Sequence, residues 1–198
     1  MDSSGLTQDE RVAVARLHAL LELLPTALDQ HLAPAGLTSF EFTLLEALHE
    51  ADLHRLRMSA LAARTNATLP RLSRVVTSLE RKGLVERAPC LEDGRATNAQ
   101  LTAAGEAAYD ASRSLYATAV RRMVLDGLDA DGVTQLADLS YSILTKLDPD
   151  ARLKVTEAGR ECAADPSLAD SGERDPFCAA DPIPSPAEAA EREPAAAV

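Results

Sequence analysis

The segment from residue 68 to residue 102 constrains the fold more than any other part of this 198-residue chain. Apolar residues recur in it at offsets of three, four and seven, the spacing that places side chains on one side of an α-helix. They are Leu69, Leu72, Val75, Val76 and Leu79. Thr68 is a predicted N-cap, Pro70 falls in the first turn, and Lys82-Gly83 is typical of a helix end. We therefore expect an amphipathic helix whose apolar side packs inward.

The opposite side of this helix, called the polar face below, carries hydroxyl side chains and arginines instead of a mixture of Glu and Lys. Its residues are Pro70, Ser73, Arg74, Thr77 and Arg81, with Arg71 and Ser78 on the flanks. Short side chains let the backbone approach a partner closely, and arginine can bind guanine bidentately or pair with phosphate. The polar face is therefore predicted to enter the major groove of double-stranded DNA.

Position on the polar face predicts different roles for its residues. Arg74 and Thr77 lie in the middle, so we expect them to contact bases, whereas Arg71 and Arg81 are expected to touch phosphate or to stay solvated. Ser59 is the expected N-cap of the preceding helix; the alternative is that backbone amides beside it bind a phosphate.

A hairpin is predicted to follow the helix. Residues 84–87 have the composition of a strand, Asp93-Gly94 is typical of a tight turn, and residues 97–101 form the returning strand. Arg95 would lie at the tip of this hairpin.

Three runs of sequence occur in order across this region: Leu79-Glu80-Arg81-Lys82-Gly83-Leu84-Val85-Glu86-Arg87, Glu92-Asp93-Gly94-Arg95-Ala96 and Leu101-Thr102-Ala103-Ala104-Gly105. In residue identity and spacing they resemble the MarR family of winged helix-turn-helix regulators. The resemblance implies a mainly α (α+β) fold, with a winged helix-turn-helix domain and a two-stranded wing, flanked by N- and C-terminal dimerisation helices. We expect the N-terminal dimerisation helix in residues 1–35, the winged helix-turn-helix domain in residues 36–102 and the C-terminal dimerisation helices in residues 103–148.

The resemblance also implies how DNA would be bound. The second motif helix would lie in the major groove, and the wing would reach the neighbouring minor groove. The Asp-x-Arg pair of the family falls on Asp93 and Arg95, with the carboxylate orienting the guanidinium for a narrow minor groove. Gly94 stands where the family often has a basic residue, which removes one phosphate contact. The complete predicted DNA-binding set is Ser59, Thr68, Pro70, Arg71, Ser73, Arg74, Thr77, Arg81, Arg87, Asp93 and Arg95.

The charge distribution is compatible with a DNA partner, although the total charge is not. The chain has 20 Lys and Arg against 31 Asp and Glu, a formal net charge of −11. Residues 55–101 are locally basic, because they contain nine basic and four acidic side chains. Acidic flanks weaken non-specific attraction to DNA and leave specificity to the readout contacts.

The flanking helices have clear predicted starts. Thr7-x-x-Glu10 and Thr38-x-x-Glu41 are capping boxes, which start helices near residues 8 and 39. Pro25 is expected to kink or break the first helix. The apolar residues of the terminal helices are expected to pack against a second subunit; the alternative is a monomeric bundle. A homodimer would place two recognition helices about 34 Å apart and predicts a pseudo-palindromic operator.

Residues 149–198 are rich in Ala, Pro, Asp and Glu and are expected to form a disordered acidic tail. The tail would be solubilising, or would bind a partner or compete with DNA for the arginines. No apolar run is long enough for a membrane span, and the first residues lack the basic region of a signal peptide, so we expect a cytoplasmic protein.

The resemblance further implies a small phenolic or lipophilic effector, bound between the dimerisation helices and the winged domain, that shifts the population of DNA-competent dimers. Aromatic and histidine side chains on the first two helices are candidates to line its pocket, with ordinary packing as the alternative: His18, His31, Phe40, Phe42 and His49. The sequence does not identify the effector.

No motif indicates an enzyme, a metal site or a cofactor. There is no Gly-rich phosphate loop or nucleophile elbow, and the spacing of His49, Glu50, Asp52 and His54 matches no common zinc motif. Two alternatives to a repressor stay open. Cys90, beside the wing, would act as a thiol redox sensor or enzyme, or the winged helix would bind a protein and the tail would recruit partners.

Overall fold

The computed structural model describes residues 5–89, 97–149, 152, 153 and 155. The elements below lie in the first of two compact units, residues 1–165; the second, residues 166–198, lies outside the described residues. In chain order the elements are helices α1 (Gln8–Leu32) and α2 (Ser39–His49), strand β1 (Arg55–Arg57), helices α3 (Met58–Arg64) and α4 (Leu69–Arg81), strands β2 (Val85–Pro89) and β3 (Thr97–Leu101), and helices α5 (Ala103–Val120) and α6 (Ala130–Leu147). The predicted acidic tail lies outside the described residues, apart from positions 149, 152, 153 and 155.

Local capping interactions start the long helices where the sequence predicts. The Thr7 and Thr38 hydroxyls each accept from the backbone amide three residues on, and the matching Glu10 and Glu41 carboxylates reach back to the cap amides. Pro25, which was expected to kink or break α1, does not break it, because the helix continues to Leu32. The missing hydrogen bond is outweighed because the turns beyond the proline are held by burial of Leu28 and Leu32.

The sheet contains the predicted hairpin and one further strand. Its order is β1-β3-β2, antiparallel throughout, with Leu56 opposite Ala99 and Val85 opposite Leu101. The predicted fold class is therefore confirmed, but β1 was not predicted. A strand of three residues is too short for alternation to show in a sequence, and it exists only because β3 supplies its hydrogen bonds.

The apolar side of α4 forms part of the core. Leu72, Val76 and Leu79 are completely buried, as the helical spacing predicts. Leu69 is an exception, because it is the first residue of the helix and is 51% exposed. Gly83 ends the helix with φ of 72° and donates its amide to the Glu80 carbonyl at 2.9 Å. This left-handed turn, which glycine adopts readily, directs the chain into β2.

Helix α2 supplies the central layer of the core. Its fully or almost fully buried side chains are Phe42, Leu44, Leu45 and Leu48. The helix packs against α1, α3, α5 and the sheet, and it therefore lies between the long helices α1 and α5 and the winged elements. Within the described residues, no helix has the length and apolar character needed to cross a membrane.

Candidate nucleic-acid interface

Helix α4 presents the polar face to solvent. Ser73, Arg74 and Arg81 are exposed, and Thr77 and Ser78 are half-buried. These five residues line one shallow, open groove. The three buried residues on the other side of α4 orient this face outward, so the helix can present hydroxyl and guanidinium groups to a macromolecule.

The arginines of α4 are held in different ways. The Arg74 Nε lies 3.4 Å from the carbonyl oxygen of Pro70, one turn earlier, and the rest of the side chain extends into solvent. The Arg71 guanidinium carbon lies 4.3 Å from the centre of the Phe40 ring. This cation–π contact orients Arg71 toward α2, at the edge of the polar face.

Arg87 lies on β2 but makes its contacts with α4. Its Nη1 donates to the Glu80 carboxylate, and its Nη2 donates to the Ser73 carbonyl at 3.0 Å, to Ser73 Oγ at 3.3 Å and to Thr77 Oγ1 at 3.2 Å. The guanidinium therefore joins the wing to the polar face. We call the contacts of Arg87 with Glu80, Ser73 and Thr77 the Arg87 clamp. The sequence contained no signal for this clamp, because only the packing of β2 on α4 brings the two elements together.

A second ionic contact joins α4 to α2. Lys82 Nζ donates to both carboxylate oxygens of Glu41, at 2.8 and 2.7 Å, and to the Gly36 carbonyl at 2.8 Å. Ser78 Oγ donates to the same carboxylate at 3.0 Å, and the Thr38 amide donates to it at 2.9 Å. The side chain of Glu41 is only 6% exposed. The C-terminal turn of α4 is thus tied to the N-terminus of α2, a connection that we call the Glu41–Lys82 link.

The Glu41–Lys82 link makes the stability of the fold depend on pH. Burial by itself raises the pKa of Glu41, but the hydrogen bonds from Lys82, Thr38 and Ser78 and the positive charge of Lys82 bring the pKa below its ordinary 4.5. A carboxylate with a lowered pKa stabilises the folded state above its unfolded pKa, and this stabilisation is lost as the pH falls through the folded pKa.

We expect Glu41→Gln to lower the free energy of unfolding by about 1–3 kcal/mol at neutral pH, because hydrogen bonds to the charged group are weakened. This difference should shrink as the pH falls below about 4.5. Chemical denaturation of both proteins between pH 3 and 7 (about one unit per step) measures it. Glu10→Gln is the matched control, since Glu10 also completes a capping box but is exposed; an equal effect in both variants would contradict the role given to Lys82.

Two predicted residues at helix starts differ from expectation. Ser59 was expected to cap α3, but it is the second residue inside that helix and Arg57 occupies the cap position without a side-chain hydrogen bond. The reason is that pairing of β1 with β3 continues to Arg57, so the helix starts directly after the strand. Thr68 is the N-cap of α4, as predicted, with extended φ and ψ of −74° and 147°, but its hydroxyl makes no capping bond.

The tip of the wing falls outside the described residues. Asp93, Arg95 and Cys90 all lie there, so the Asp-x-Arg pair implied by the family resemblance and the thiol alternative stay predictions. The described part of the hairpin ends at the pairing of Pro89 with Thr97.

The five predicted pocket residues are not gathered at one place. His18 is exposed on α1, the Nδ1 of His31 lies 3.4 Å from the Ala27 carbonyl oxygen, and Phe40 stacks on Arg71. Only Phe42 and His49 belong to a common cluster, because both rings lie against Tyr109, which was not among the predicted residues.

This cluster, the aromatic ladder, consists of Tyr116, Phe42, Tyr109, His49 and His54. Successive ring centroids are 4.2, 5.5, 4.5 and 5.5 Å apart. Burial raises the pKa of Tyr116, and the charge of Glu46 raises it further. The ladder joins α5 to α2. Within the described residues, no three His, Cys, Asp or Glu side chains are grouped as metal ligands.

The sequence matches the model of a known protein family and resembles curated relatives, among them a transcriptional repressor. The model described as MarR family matches residues 35–96. The HTH-type transcriptional repressor YetL of Bacillus subtilis (strain 168) is 34% identical over 80 residues, which cover 40% of this chain and 48% of YetL. The chain therefore aligns with about half the length of that relative.

Solved structures share both the fold and much of the sequence. Sco3205, a MarR family transcriptional regulator from Streptomyces coelicolor solved in complex with DNA, is 31% identical with a TM-score of 0.70, and the match covers 72% of this chain and 94% of Sco3205. AbsC, a MarR family regulator from the same organism, is also 31% identical with a TM-score of 0.70, over 74% of this chain and 99% of AbsC. These relatives are transcriptional regulators and not enzymes. On this similarity, which spans nearly the whole length of both regulators, the chain belongs to the MarR family of transcriptional regulators.

Proposed function

We propose that the protein is a repressor that binds a specific DNA operator as a homodimer. The observation that carries the proposal is the polar face of α4, where exposed Arg74 and Arg81 flank the hydroxyls of Ser73 and Thr77. Arginine and short polar side chains are the groups that read base edges in the major groove. The relative that is solved with DNA and the relative that is a named repressor support the same reading.

The proposed homodimer rests on the apolar surface of the terminal helices. Large aliphatic side chains of α1 and α6 are between 38% and 75% exposed: Leu20, Leu21, Leu23, Leu136, Leu139, Ile143 and Leu147. Single soluble chains rarely leave so many apolar side chains uncovered, and a two-fold dimer would cover the same surface on both copies. Two α4 helices related by that axis fit an operator with two half-sites about 34 Å apart. A dimer placed there blocks RNA polymerase without any further component.

We propose that a small phenolic or lipophilic effector releases the operator. The aromatic ladder supports this, since flat rings stack on Phe42, Tyr109 and Tyr116, and the ladder ties α5 to α2. A molecule that separates these rings would shift α2, and the Glu41–Lys82 link would transmit the shift to α4. The effector therefore acts by population shift between two dimer geometries.

The direct test is binding to labelled DNA from upstream of the protein's own coding sequence, in competition with unrelated DNA at several salt concentrations. We expect specific binding, protection of two half-sites and two chains per operator. Arg74→Ala should weaken specific binding about 10–100-fold, the range for loss of a base contact. Arg122→Ala removes the same charge from an exposed position after α5 and should change the affinity less than about three-fold.

Equal effects of the two substitutions would contradict a role for the polar face in reading DNA. Absence of any preferred sequence across genomic fragments would favour the alternative in which the winged helix binds a protein. In that case the interaction with the partner should survive Arg74→Ala.

A further inference from the structure

We propose that Arg87 is a positioning residue that sets which bases the polar face can read, and that it does so through Ser73 and Thr77 without contacting DNA itself. This proposal rests on the proposed function, because it concerns how α4 discriminates between sequences. It differs from the sequence-based prediction, in which Arg87 touches DNA directly.

Both terminal nitrogens of the Arg87 guanidinium bind groups on α4. Nη1 is held by the Glu80 carboxylate, and Nη2 is shared by three acceptors on Ser73 and Thr77, at 3.0 to 3.3 Å. The Arg87 side chain is 28% exposed and that of Glu80 29%. A guanidinium has five N–H donors in a rigid fork. The Nη1 and Nη2 donors that bind Glu80, Ser73 and Thr77 are therefore not directed toward a duplex lying on the polar face.

The Arg87 clamp restricts the hydrogen bonds that Thr77 can still make. Thr77 Oγ1 donates its proton to the Ser73 carbonyl at 3.0 Å and accepts from Arg87 at 3.2 Å. A hydroxyl has one donor and two acceptor positions, so one acceptor position and the methyl group are left for DNA. Such a side chain suits the C5-methyl group of thymine, or an amino group of adenine or cytosine.

Ser73 keeps its donor. Its Oγ accepts from Arg87 at 3.3 Å, which leaves the O–H and one acceptor position for DNA, so Ser73, unlike Thr77, can donate outward. The complementary acceptors in the major groove are N7 and O6 of guanine, N7 of adenine and O4 of thymine. Without Arg87, each hydroxyl would regain one acceptor position, and both positions would become more tolerant of different bases.

Substitution of Glu80 distinguishes a positioning role of Arg87 from a direct contact of Arg87 with DNA. If Arg87 bound a phosphate, Glu80 would be a competing negative charge beside DNA, and Glu80→Gln would strengthen binding. If Arg87 positions the hydroxyls, Glu80 anchors it, and Glu80→Gln should relax base discrimination in the same way as a change of Arg87 itself. The two models therefore predict different results for one conservative substitution: tighter binding with an unchanged base profile, or lower base discrimination.

The experiment measures the affinity of the full-length protein for its operator and for each single base-pair variant of it, at several salt concentrations. Ser73→Ala and Thr77→Val first identify the base pairs that the two hydroxyls read. Arg87→Lys and Glu80→Gln should then lower discrimination about 3–10-fold at those base pairs and leave it unchanged elsewhere. The slope of log affinity against log salt should not change in Arg87→Lys or in Arg87→Ala, because no phosphate contact is lost.

A uniform loss of affinity in Arg87→Ala, with a salt slope reduced by about one phosphate, would overturn the proposal. Tighter binding by Glu80→Gln with an unchanged base profile would also overturn it. If Arg87→Ala does not fold, as judged by circular dichroism and thermal unfolding, Glu80→Gln carries the test. A wild-type protein without any sequence preference would refute the proposed function; a specific wild-type protein whose base profile is unchanged in Arg87→Lys and Glu80→Gln would refute only the role of Arg87.

Discussion

Gly105→Ala is expected to destabilise the fold by about 3 kcal/mol or more, because overpacking against fixed backbone cannot be relieved by a rotamer change. A Cβ at Gly105 would overlap the carbonyl oxygen of Leu84 and would lie 2.7 Å from Leu101 Cδ1. The Leu84 carbonyl is already fixed, since it accepts from the Thr102 amide at 3.1 Å. Glycine therefore lets the first turn of α5 rest directly on the segment that leads from α4 into the wing.

Denaturant unfolding at a fixed protein concentration measures this effect, since dimerisation would make the apparent stability depend on concentration. Gly127→Ala is the matched control, because nothing lies within 4 Å of a Cβ built there; it should change stability by less than about 1 kcal/mol. Similar losses of stability in the two variants would show that overlap with the Leu84 carbonyl is not what destabilises Gly105→Ala. We also expect DNA binding to weaken in Gly105→Ala at temperatures where the protein is folded, because α5 must move relative to the wing.

Phe42→Ala is expected to lower the free energy of unfolding by about 3–5 kcal/mol, the usual range for truncating a buried phenylalanine. The Phe42 side chain is 1% exposed and stacks between Tyr116, at 4.2 Å, and Tyr109, at 5.5 Å. Its removal leaves a cavity and separates the two halves of the aromatic ladder. The protein has no tryptophan, and two of its three tyrosines belong to the ladder, so tyrosine fluorescence reports mainly on the ladder.

Phe40→Ala provides the control two residues away on the same helix. Phe40 is half-buried and contacts the Arg71 guanidinium, so its truncation should cost about 1 kcal/mol and leave tyrosine fluorescence almost unchanged. A smaller loss for Phe42→Ala than for Phe40→Ala would be inconsistent with α2 forming the centre of the core. Phe42→Leu, which keeps most of the volume, should retain more of the stability than Phe42→Ala.

Features that depend on neighbours in the chain could be predicted from the sequence. The starts of α1 and α2 follow from hydroxyl and carboxylate groups three residues apart. Gly83 ends α4 because a left-handed residue is needed there. The buried side of α4 follows from a period of 3.6 residues. Each of these signals lies within one or two helical turns.

Contacts between distant segments could not be predicted in this way. Glu41 was recognised as a capping residue, yet its partner Lys82 is 41 positions away, and opposite charges in a sequence do not reveal which pairs will meet. For the same reason the sequence assigned Arg87 to DNA and gave no sign of its contacts with Glu80 and Ser73. Strand β1 has no periodicity of its own and depends on β3.

The sequence by itself determined the helices, their caps, the orientation of the polar face and the family resemblance, because local hydrogen bonds and apolar periodicity act over a few residues. Tertiary structure alone decided how the polar face is held. The Arg87 clamp joins the face to the wing, and the Glu41–Lys82 link joins it to α2. Both require donors and acceptors from separate elements to be brought within about 3 Å, the range of a hydrogen bond, and only packing of the buried core places them there.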